Sequence, residues 1–241
     1  MANSHLTIAQ VNRAGRIVRR FLEGEGGGWV SREVDAALSI VYQYRGAHQY
    51  PLIKANMGLR SVVRTEGCQV EVTQRLKRFR TILDKLVREP TMQLSTMQDI
   101  GGCRAVLASI EEIRRVERRL KKNRPPMRYS DYIEVPRASG YRGVHVVVGY
   151  LDADDVQRAI EVQLRTRVMH EWAFTVERLG GRLGQDLKSG EGPKEVLDWL
   201  EAASEAMALE EADQVVPGEL ILRIAQLREA AIPYFEVRTQ R

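Results

Sequence analysis

The sequence predicts an α/β (α+β) fold, a mixed β-sheet flanked by helices, and two observations carry this prediction. Apolar residues recur at helical spacing in the first ninety residues and again beyond Gly184, whereas the segment between them alternates strand-like and helix-like patterns. The clearest strand covers residues 159–166, where Ile160, Val162 and Leu164 alternate with polar side chains. Helices before and between strands are typical of a mixed sheet covered by helices.

The N-terminal part of the chain is expected to form helices interrupted by glycine and proline. A Gly-rich patch, Gly24 to Gly28, separates an initial helical stretch from a second one over residues 31–47. Pro51 is expected to break the chain before a third stretch around Ile53–Val63.

The strongest helical pattern covers Val72–Glu89. Phe79, Ile82, Leu83 and Leu86 follow the i, i+3, i+4, i+7 spacing of an amphipathic helix, and Pro90 comes directly afterwards. We therefore expect one continuous helix over residues 72–89.

The rest of the chain predicts two further strands and three further helices. The expected elements are a buried strand at Gly102–Leu107, a charged helix at 109–122, a strand at Gly143–Tyr150, an acidic helix at Pro193–Asp213 and a last helix at Gly218–Ala231 that ends at Pro233. The last two are expected to serve packing or oligomer formation. The predicted division is an N-terminal helical extension (1–69), a catalytic core (70–184) and C-terminal helices (185–241).

Composition narrows the class of protein. At 241 residues, the chain is long enough for one domain with a sizeable core plus helical extensions. It has no run of about 20 apolar residues and no secretory signal at its start, so we expect no membrane association. Cys68 and Cys103 form neither a disulfide framework nor a metal cluster, which favours a cytoplasmic location. The net charge of +5 suits a polyanionic partner, although mild basicity without a specific cause is equally common.

A basic stripe follows the predicted helix 72–89. Lys77, Thr81 and Lys85 are spaced by four residues, and Arg75 lies near the start. Like charges at this spacing repel, so a bound anion would explain them, but a solvated basic face is the more common explanation of such a stripe.

Two carboxylates from different predicted strands could hold a hard cation. Asp99 precedes the strand that contains Arg104, and Glu161 shares one strand face with Gln163. Beside a basic stripe, such a pair would suit a Mg²⁺–triphosphate site, provided that the two strands are neighbours. Each carboxylate taken alone is more often a surface or salt-bridged residue.

The segment 131–145 contains a Gly-rich turn with an aromatic residue. Gly140, Tyr141, Arg142 and Gly143 lead into an apolar strand that carries His145. Tyr141 could stack on a purine and Arg142 could meet a phosphate. Alternatively, the tyrosine anchors the loop onto the core and His145 is an ordinary core histidine.

Taken together, these pieces resemble the RelA/SpoT synthetase family, the pyrophosphokinases that make the alarmones ppGpp and pppGpp. Four motifs within residues 70–180 carry the resemblance in the same order. They are Arg75-x-Lys77-x-x-x-Thr81-Ile82-x-x-Lys85, Asp99-Ile-x-Gly-x-Arg104, Asp131-Tyr132-Ile-x-x-Pro136-Arg137-x-x-Gly140-Tyr141-Arg142-x-x-His145, and Glu161-Val-Gln163-Leu-Arg165-Thr166 with Met169-His-x-Trp172-Ala173.

The resemblance implies a nucleotidyltransferase-like sheet and a role for each matching residue. Arg75 and Arg104 would hold the ATP adenine between them, and Lys77, Thr81 and Lys85 would line the triphosphate. Asp99 and Glu161 would bind Mg²⁺, the implied cofactor. Tyr141 would stack on the base of the acceptor, with Arg142, His145 and Gln163 nearby. The implied reaction transfers the β,γ-pyrophosphate of ATP to a ribose 3′-hydroxyl and releases AMP.

Several alternatives for the acceptor remain open. Departures from the family pattern at Ser139, at Gly143-Val144 and at Arg178 cluster where the acceptor would bind. The family includes housekeeping synthetases that act on GDP or GTP. It also includes toxic members that modify the 3′ end of tRNA or make adenosine alarmones, and these share the segment Tyr44-Arg45-x-x-His48-x-x-Pro51-Leu52. A toxic member would be expected to need an antitoxin protein. A catalytically inactive nucleotide-binding regulator is a third alternative, against which the intact motifs argue. A homo-oligomer is also compatible with the sequence.

The helix predicted at 109–122 bears on the tRNA alternative. Its basic residues are Arg114, Arg115, Arg118, Arg119, Lys121, Lys122 and, just beyond, Arg124. This density would suit a tRNA backbone, and a solvated charged helix explains it equally well. Nothing in the chain resembles the hydrolase domain of the longer family members, so a single-domain small synthetase is expected.

Overall fold

The protein contains a five-stranded mixed sheet with helices on both faces. The computed structural model describes residues 6–24 and 32–236. The helices are α1 (Ile8–Leu22), α2 (Arg32–Gly46), α3 (Gln49–Thr65), α4 (Phe79–Arg88), α5 (Ile110–Asn123), α6 (Arg167–Leu183), α7 (Lys194–Glu211) and α8 (Gly218–Glu236). The strands are β1 (Val72–Leu76), β2 (Gly101–Leu107), β3 (Arg128–Asp131), β4 (Val144–Leu151) and β5 (Gln157–Thr166). Single turns of 3-10 helix occupy Leu94–Thr96 and Leu187–Ser189.

The sheet has the order β1-β2-β5-β4-β3, and only β2 and β5 run parallel. The two strands expected to carry the carboxylates are therefore direct neighbours. One face of the sheet is apolar: Cys103 and Ala105 of β2 and Val162 and Leu164 of β5 pack there with buried residues of α3 and α5. The opposite face carries the polar side chains. The alternation seen in residues 159–166 is the direct cause of this division.

Two further apolar clusters flank the sheet. One joins α1, α2, α4 and the Leu94–Thr96 turn, with Val11, Val41 and Ile82 fully buried at its centre. The other joins α6, α7 and α8 to the glycine-rich turn before β4, through Trp172 and Tyr141. The predicted packing role of the last two helices is thus confirmed. The division at residues 1–69, 70–184 and 185–241 stays a prediction.

The expected continuous helix over residues 72–89 is wrong. Val72–Leu76 form strand β1, which pairs antiparallel with β2, and the helix begins only at Phe79. The apolar residues that suggested a helix, from Phe79 to Leu86, all lie in α4. The segment before them lacks a strong period of its own, and pairing with β2 decides its structure.

Smaller differences concern turns and ends. Strand β3, which was not predicted, pairs with β4, and α8 continues through Pro233 to Glu236. Gly24 is the last described residue of the Gly-rich patch, whose other members lie outside the described residues. In the described part of the chain, no helix combines the length and apolar character needed to cross a bilayer.

Candidate active site

The polar face of the sheet is built by three adjacent strands. Gly102 of β2 lies opposite Arg75 of β1 on one side and opposite Glu161 of β5 on the other, and Arg104 lies opposite Gln163. All of these side chains therefore share one face. Arg75 and Arg104 are diagonal neighbours across the antiparallel pair, within reach of a ligand held between them.

Two lysines from outside the sheet meet at Asp99. Lys77 lies in the turn between β1 and α4, and Lys85 lies on α4; their Nζ atoms are 2.9 Å and 3.2 Å from Asp99 Oδ2. The turn is held by the Lys77 amide, which donates to Ile100 O at 2.7 Å. Lys77 is thus not part of one helical stripe with Thr81 and Lys85, as the expected helix implied. Only the last two share a side of α4, where Thr81 is exposed.

The other oxygen of Asp99 is unusual. Asp99 Oδ1 is buried and has no hydrogen-bond partner among the described residues. Burial by itself would raise the pKa of this carboxyl, but Lys77 and Lys85 outweigh burial and hold the pKa below its usual value. An ionised carboxylate with one orphaned oxygen is suited to a cation.

Glu161 belongs to a hydrogen-bonded chain. The Nδ1 of His145 lies 2.9 Å from Glu161 Oε1, and the Gln163 amide donates to Oε2 at 2.6 Å. On the far side of the imidazole, Nε2 is 2.5 Å from the hydroxyl of Tyr141. Burial would raise the pKa of Glu161, but His145, Gln163 and the charge of Lys188 bring the pKa down to about 2. Burial lowers the pKa of His145, so the neutral imidazole donates from Nδ1 to the carboxylate.

Arginines complete the polar face. Arg165 is fully buried, donating from Nε to the Tyr141 hydroxyl at 3.0 Å and from a terminal nitrogen to Gln163 at 2.8 Å. Burial, with the charges of Arg165 and Arg75, lowers the pKa of Arg104 to about 10. Arg75 is exposed and 3.9 Å from Glu177. Positive charge therefore accumulates on this face, as an anion-binding site requires.

The side expected to bind the acceptor is closed in this structure. The Tyr141 ring is fully buried against Trp172 and presents no free face, so its conformation agrees with the alternative that it anchors the loop to the core. Arg142 is buried in an ion pair with Glu211 of α7, at 2.9 Å, so it has no free charge to offer a phosphate. Gly140 adopts φ +82° against α7, where its carbonyl accepts from Ser204 at 2.5 Å. Acceptor binding by Tyr141 and Arg142 stays a prediction that requires this loop to move.

The basic residues of α5 are mostly paired within the protein. Arg114 bonds to Glu117 and Asp131, and Lys121 bonds to Glu117. Arg115 lies within 4 Å of Glu111 and Glu112, and Arg119 lies 3.7 Å from Glu66. Of the residues expected to form a nucleic-acid surface, Arg118 and Lys122 are exposed without an ion pair in the described part of the chain. The structure therefore favours a charged, internally paired helix.

Sequence reasoning missed Lys188. This residue lies in the 3-10 turn after α6, and its Nζ sits 4.9 Å from the centroid of the Tyr141 ring. It stands alone in the segment Leu187-Lys188-Ser189, beyond the last family motif, so neither spacing nor motif could have indicated it.

The segment Tyr44–Leu52 packs against the elements that carry the site residues. Arg45 Nε donates to Lys77 O at 2.7 Å, and His48 is buried with Nδ1 2.9 Å from Tyr44 O. A Cβ on Gly101 would lie within 3.8 Å of the side chains of both His48 and Leu52. These residues position the β1–α4 turn and the start of β2.

The polar face of the sheet has two carboxylates, Asp99 and Glu161, that could bind a metal ion. Within residues 6–24 and 32–236 there is no group of three or more His, Cys, Asp or Glu side chains that could hold an ion without help. Mg²⁺ is commonly held by one or two carboxylates together with substrate phosphates, so Asp99 with its orphaned oxygen and Glu161 fit a metal that arrives with a nucleotide.

The chain is similar to a described sequence family and to solved structures. The sequence profile described as "Region found in RelA / SpoT proteins" matches residues 74–178. GTP pyrophosphokinase YjbM of Bacillus subtilis is 33% identical over 157 residues, which cover 62% of this chain and 72% of that protein.

Two solved structures from Bacillus subtilis share the fold. Small alarmone synthetase 1, bound to its product pppGpp, has a TM-score of 0.61 and 25% identity over 78% of this chain and 96% of its own. Small alarmone synthetase 2 has a TM-score of 0.61 and 22% identity over 77% of this chain and 97% of its own. The chain therefore belongs to the RelA/SpoT family and is a pyrophosphotransferase of the small alarmone synthetase type.

Proposed function

We propose that this protein transfers the β,γ-pyrophosphate of Mg·ATP to the 3′-hydroxyl of GDP or GTP, giving ppGpp or pppGpp and AMP. The observation that carries the proposal is the joint position of Asp99 and Glu161 at neighbouring parallel strands, with Lys77 and Lys85 on Asp99 and Arg75 and Arg104 on the same sheet face. The name of the Bacillus subtilis relative, a GTP pyrophosphokinase, supports the choice of a guanine nucleotide.

ATP would bind between β1, β2 and α4. The planar guanidinium groups of Arg75 and Arg104 can stack on an adenine ring from two sides, which a lysine could not do. Lys77 and Lys85 would release Asp99 in part and turn towards the triphosphate, with the Thr81 hydroxyl on the same side of α4 as Lys85. In this arrangement the β-phosphorus would lie beside β5.

Asp99 and Glu161 would hold the magnesium ion that accompanies ATP. When bound, the ion neutralises charge on the phosphate oxygens. The 3′-oxygen of the acceptor would attack the β-phosphorus while the bond from that phosphorus to the α,β-bridging oxygen breaks. AMP leaves, and the proton of the 3′-hydroxyl passes to solvent. Positioning and the surrounding cations supply most of the rate enhancement, because little covalent chemistry falls to the protein.

Glu161 suits metal binding better than proton removal. A carboxylate with a pKa of about 2 is a weak base, and it is ionised at neutral pH. The His145–Glu161 contact therefore serves to orient the carboxylate and keep it ionised, and Gln163 does the same from the other oxygen.

The structure offers less support to a tRNA acceptor. Arg114, Arg115, Arg119 and Lys121 already face carboxylates, so the net charge that α5 offers a phosphate backbone is small. An adenosine acceptor and an antitoxin are supported by the segment Tyr44–Leu52 alone, which toxic members share and which in this structure contacts the β1–α4 turn. An inactive regulator has no observation of its own in its favour.

The test uses purified protein with Mg²⁺ and ATP labelled at the β or γ phosphate. GDP, GTP, ADP, AMP and deacylated tRNA are supplied in parallel, and labelled product and AMP are measured. We expect label on GDP and GTP with one AMP released for each transfer. Label on tRNA alone would overturn the choice of acceptor, and an absence of AMP release with every acceptor would overturn the enzymatic proposal. The Arg118→Glu/Lys122→Glu variant, which changes exposed residues of α5, should leave transfer to GDP unchanged.

A further inference from the structure

Lys188 holds an unusual position for a lysine. It belongs to the turn that follows α6, in the C-terminal part of the chain, yet its ammonium group lies 4.9 Å from the centre of the buried Tyr141 ring. Its backbone is fixed to the glycine-rich turn, because the Ser139 hydroxyl donates to Lys188 O at 2.9 Å. The side chain is thus delivered into the polar face of the sheet by a segment outside the family motifs.

No carboxylate forms an ion pair with this ammonium group in the described part of the chain. Ion pairs within 4 Å are formed by Lys77, Lys85 and Arg75, but none by Lys188 or by its neighbour Arg165, which is fully buried. Glu161 is the nearby acidic residue on β5, and both of its oxygens are already occupied by His145 and Gln163. A cation placed among other cations costs free energy, which a bound anion would recover.

The lowered pKa of Lys188 reflects the free-energy cost of its positive charge in this environment. Burial lowers the pKa of Lys188 to about 7, and Arg165 and Arg104 lower it against the opposing effects of Glu177 and Glu161. Strongly perturbed pKa values of buried groups cluster at binding and catalytic sites. Lys188 and Arg165 meet at Tyr141: the ammonium group lies over its ring, and the guanidinium donates to its hydroxyl.

We propose that Lys188 binds a phosphate group of the acceptor nucleotide. Its neighbours place it on the acceptor side: Tyr141 and Ser139 belong to the turn before β4, whereas Lys77, Lys85 and Asp99 define the opposite, ATP side of the face. Arg165 and Lys188 each lie 4.9 Å from the centroid of the Tyr141 ring, and neither forms an ion pair among the described residues. The inference rests on the proposed pyrophosphate transfer, and it adds to it a residue that the motifs do not contain.

The experiment measures nucleotide binding without turnover. GDP and, separately, Mg²⁺ with the non-hydrolysable α,β-methylene analogue of ATP are titrated calorimetrically into the full-length wild type and into K188M. Methionine keeps an unbranched side chain, one atom shorter than that of lysine, and removes the charge. We expect the dissociation constant for GDP to rise about tenfold, the usual cost of one charge-assisted contact, with the ATP analogue changed less than threefold.

Two variants separate this role from a structural one. K188R keeps the charge and should retain GDP affinity within about threefold, and K194Q removes an exposed lysine of α7 from the same segment and should behave as wild type. K188M should not lower the Tm, because the lost charge was destabilising. A fall in Tm of K188M with unchanged GDP affinity would overturn the proposal in favour of a packing role.

Three further outcomes of these experiments would also test the role of Lys188. Weaker binding of the ATP analogue alone would place Lys188 on the donor side and overturn the acceptor assignment. Equal GDP affinity in wild type and K188M would overturn the inference regardless of activity. A wild type that binds GDP through Lys188 but transfers no pyrophosphate to it would overturn the proposed function and leave the role of Lys188 intact.

Discussion

Gly102 and Glu161 lie directly opposite each other in the parallel β2–β5 pair, and this relationship organises the site. Gly102 has no side chain, so the face between Arg75 and Glu161 stays open at that point. A Cβ there would lie 3.6 Å from the carbonyl oxygen of Glu161, an ordinary contact, so the backbone would tolerate a side chain. A nucleotide bound as proposed would cover this open face.

The first prediction concerns the two carboxylates. D99N and E161Q should each lower kcat for pyrophosphate transfer at least about 100-fold, since metal-assisted charge stabilisation contributes several kcal/mol. Both side chains are nearly isosteric with the originals, so the far-ultraviolet circular dichroism spectrum should not change. Transfer is measured as AMP released from ATP in the presence of GDP.

D84N is the matched control for these variants. Asp84 is an exposed carboxylate on α4, on the same helix as Lys85, and D84N should keep wild-type kcat. Wild-type turnover in either D99N or E161Q would show that the metal is held elsewhere.

The sequence predicted the sheet better than it predicted the start of the site. Residues 159–166 alternate because one face of β5 is apolar and the other polar, and such a pattern survives in any context. Residues 72–76 carry three exposed side chains in a row, and their strand conformation depends on pairing with β2. A helix was predicted there because the periodic residues of α4 follow within three positions.

In the site, too, residues within motifs could be predicted, whereas contacts between residues far apart in the sequence could not. Asp99, Arg104, Glu161 and Gln163 could be named from motifs because each lies on or beside a strand that carries a fixed spacing. The closure of Tyr141 and Arg142 could not, since it depends on Trp172, Lys188 and Glu211, which are 31 to 69 positions away along the chain. Pairing of the α5 arginines with Glu66 and Asp131 was hidden for the same reason.

The second prediction concerns the glycine-rich turn. Gly140 has φ +82°, and a Cβ there would lie 2.9 Å from Leu200 O and 2.8 Å from the Ser204 Cβ. G140A should therefore lower the free energy of unfolding by about 2 kcal/mol or more, from backbone strain and from the clash with α7. Urea unfolding at equilibrium measures the change.

G181A should change the free energy of unfolding in the opposite direction to G140A. Gly181 lies in α6, and a Cβ added there would meet no other described atom within 4 Å, so alanine should raise the free energy of unfolding by about 0.5–1 kcal/mol. If G140A were as stable as wild type, the turn and α7 would not be packed together in solution.

The third prediction concerns acid stability at the β4–β5 turn. Burial would raise the pKa of Asp152, but the amides of Val156 and Asp154 and the Arg158 guanidinium outweigh burial and lower the pKa. A carboxyl whose pKa is lower in the folded state stabilises the protein above its unfolded pKa of about 4 and loses this contribution as the pH falls through the folded value.

D152N should remove that pH dependence. Its free energy of unfolding should be lower than that of wild type by about 1–3 kcal/mol at pH 7, because Arg158 loses its partner, and the gap should narrow as the pH falls below about 4. The two proteins are compared by urea unfolding between pH 7 and pH 3. A gap that stays constant over this range would show that Asp152 does not titrate differently in the folded state.

The last prediction concerns Arg45, which we expect to act through Lys77. Arg45 Nε donates to the Lys77 carbonyl at 2.7 Å, and the Lys77 amide donates to Ile100 O, so the turn that presents Lys77 is held from both sides. R45M should remove the hydrogen bond to the Lys77 carbonyl. Since a shift of about 1 Å in a positioning group can reduce turnover 100-fold, we expect kcat to fall about 10- to 100-fold.

A double-mutant cycle shows whether the effect passes through Lys77. If Arg45 only positions Lys77, R45M should have almost no further effect on kcat in a K77A background, whereas independent effects would multiply. R64M, which removes an exposed arginine from α3, should leave kcat unchanged in either background. Multiplying effects of R45M and K77A would mean that Arg45 contributes by another route, because a residue that acts solely through a side chain has nothing left to position once that side chain is gone.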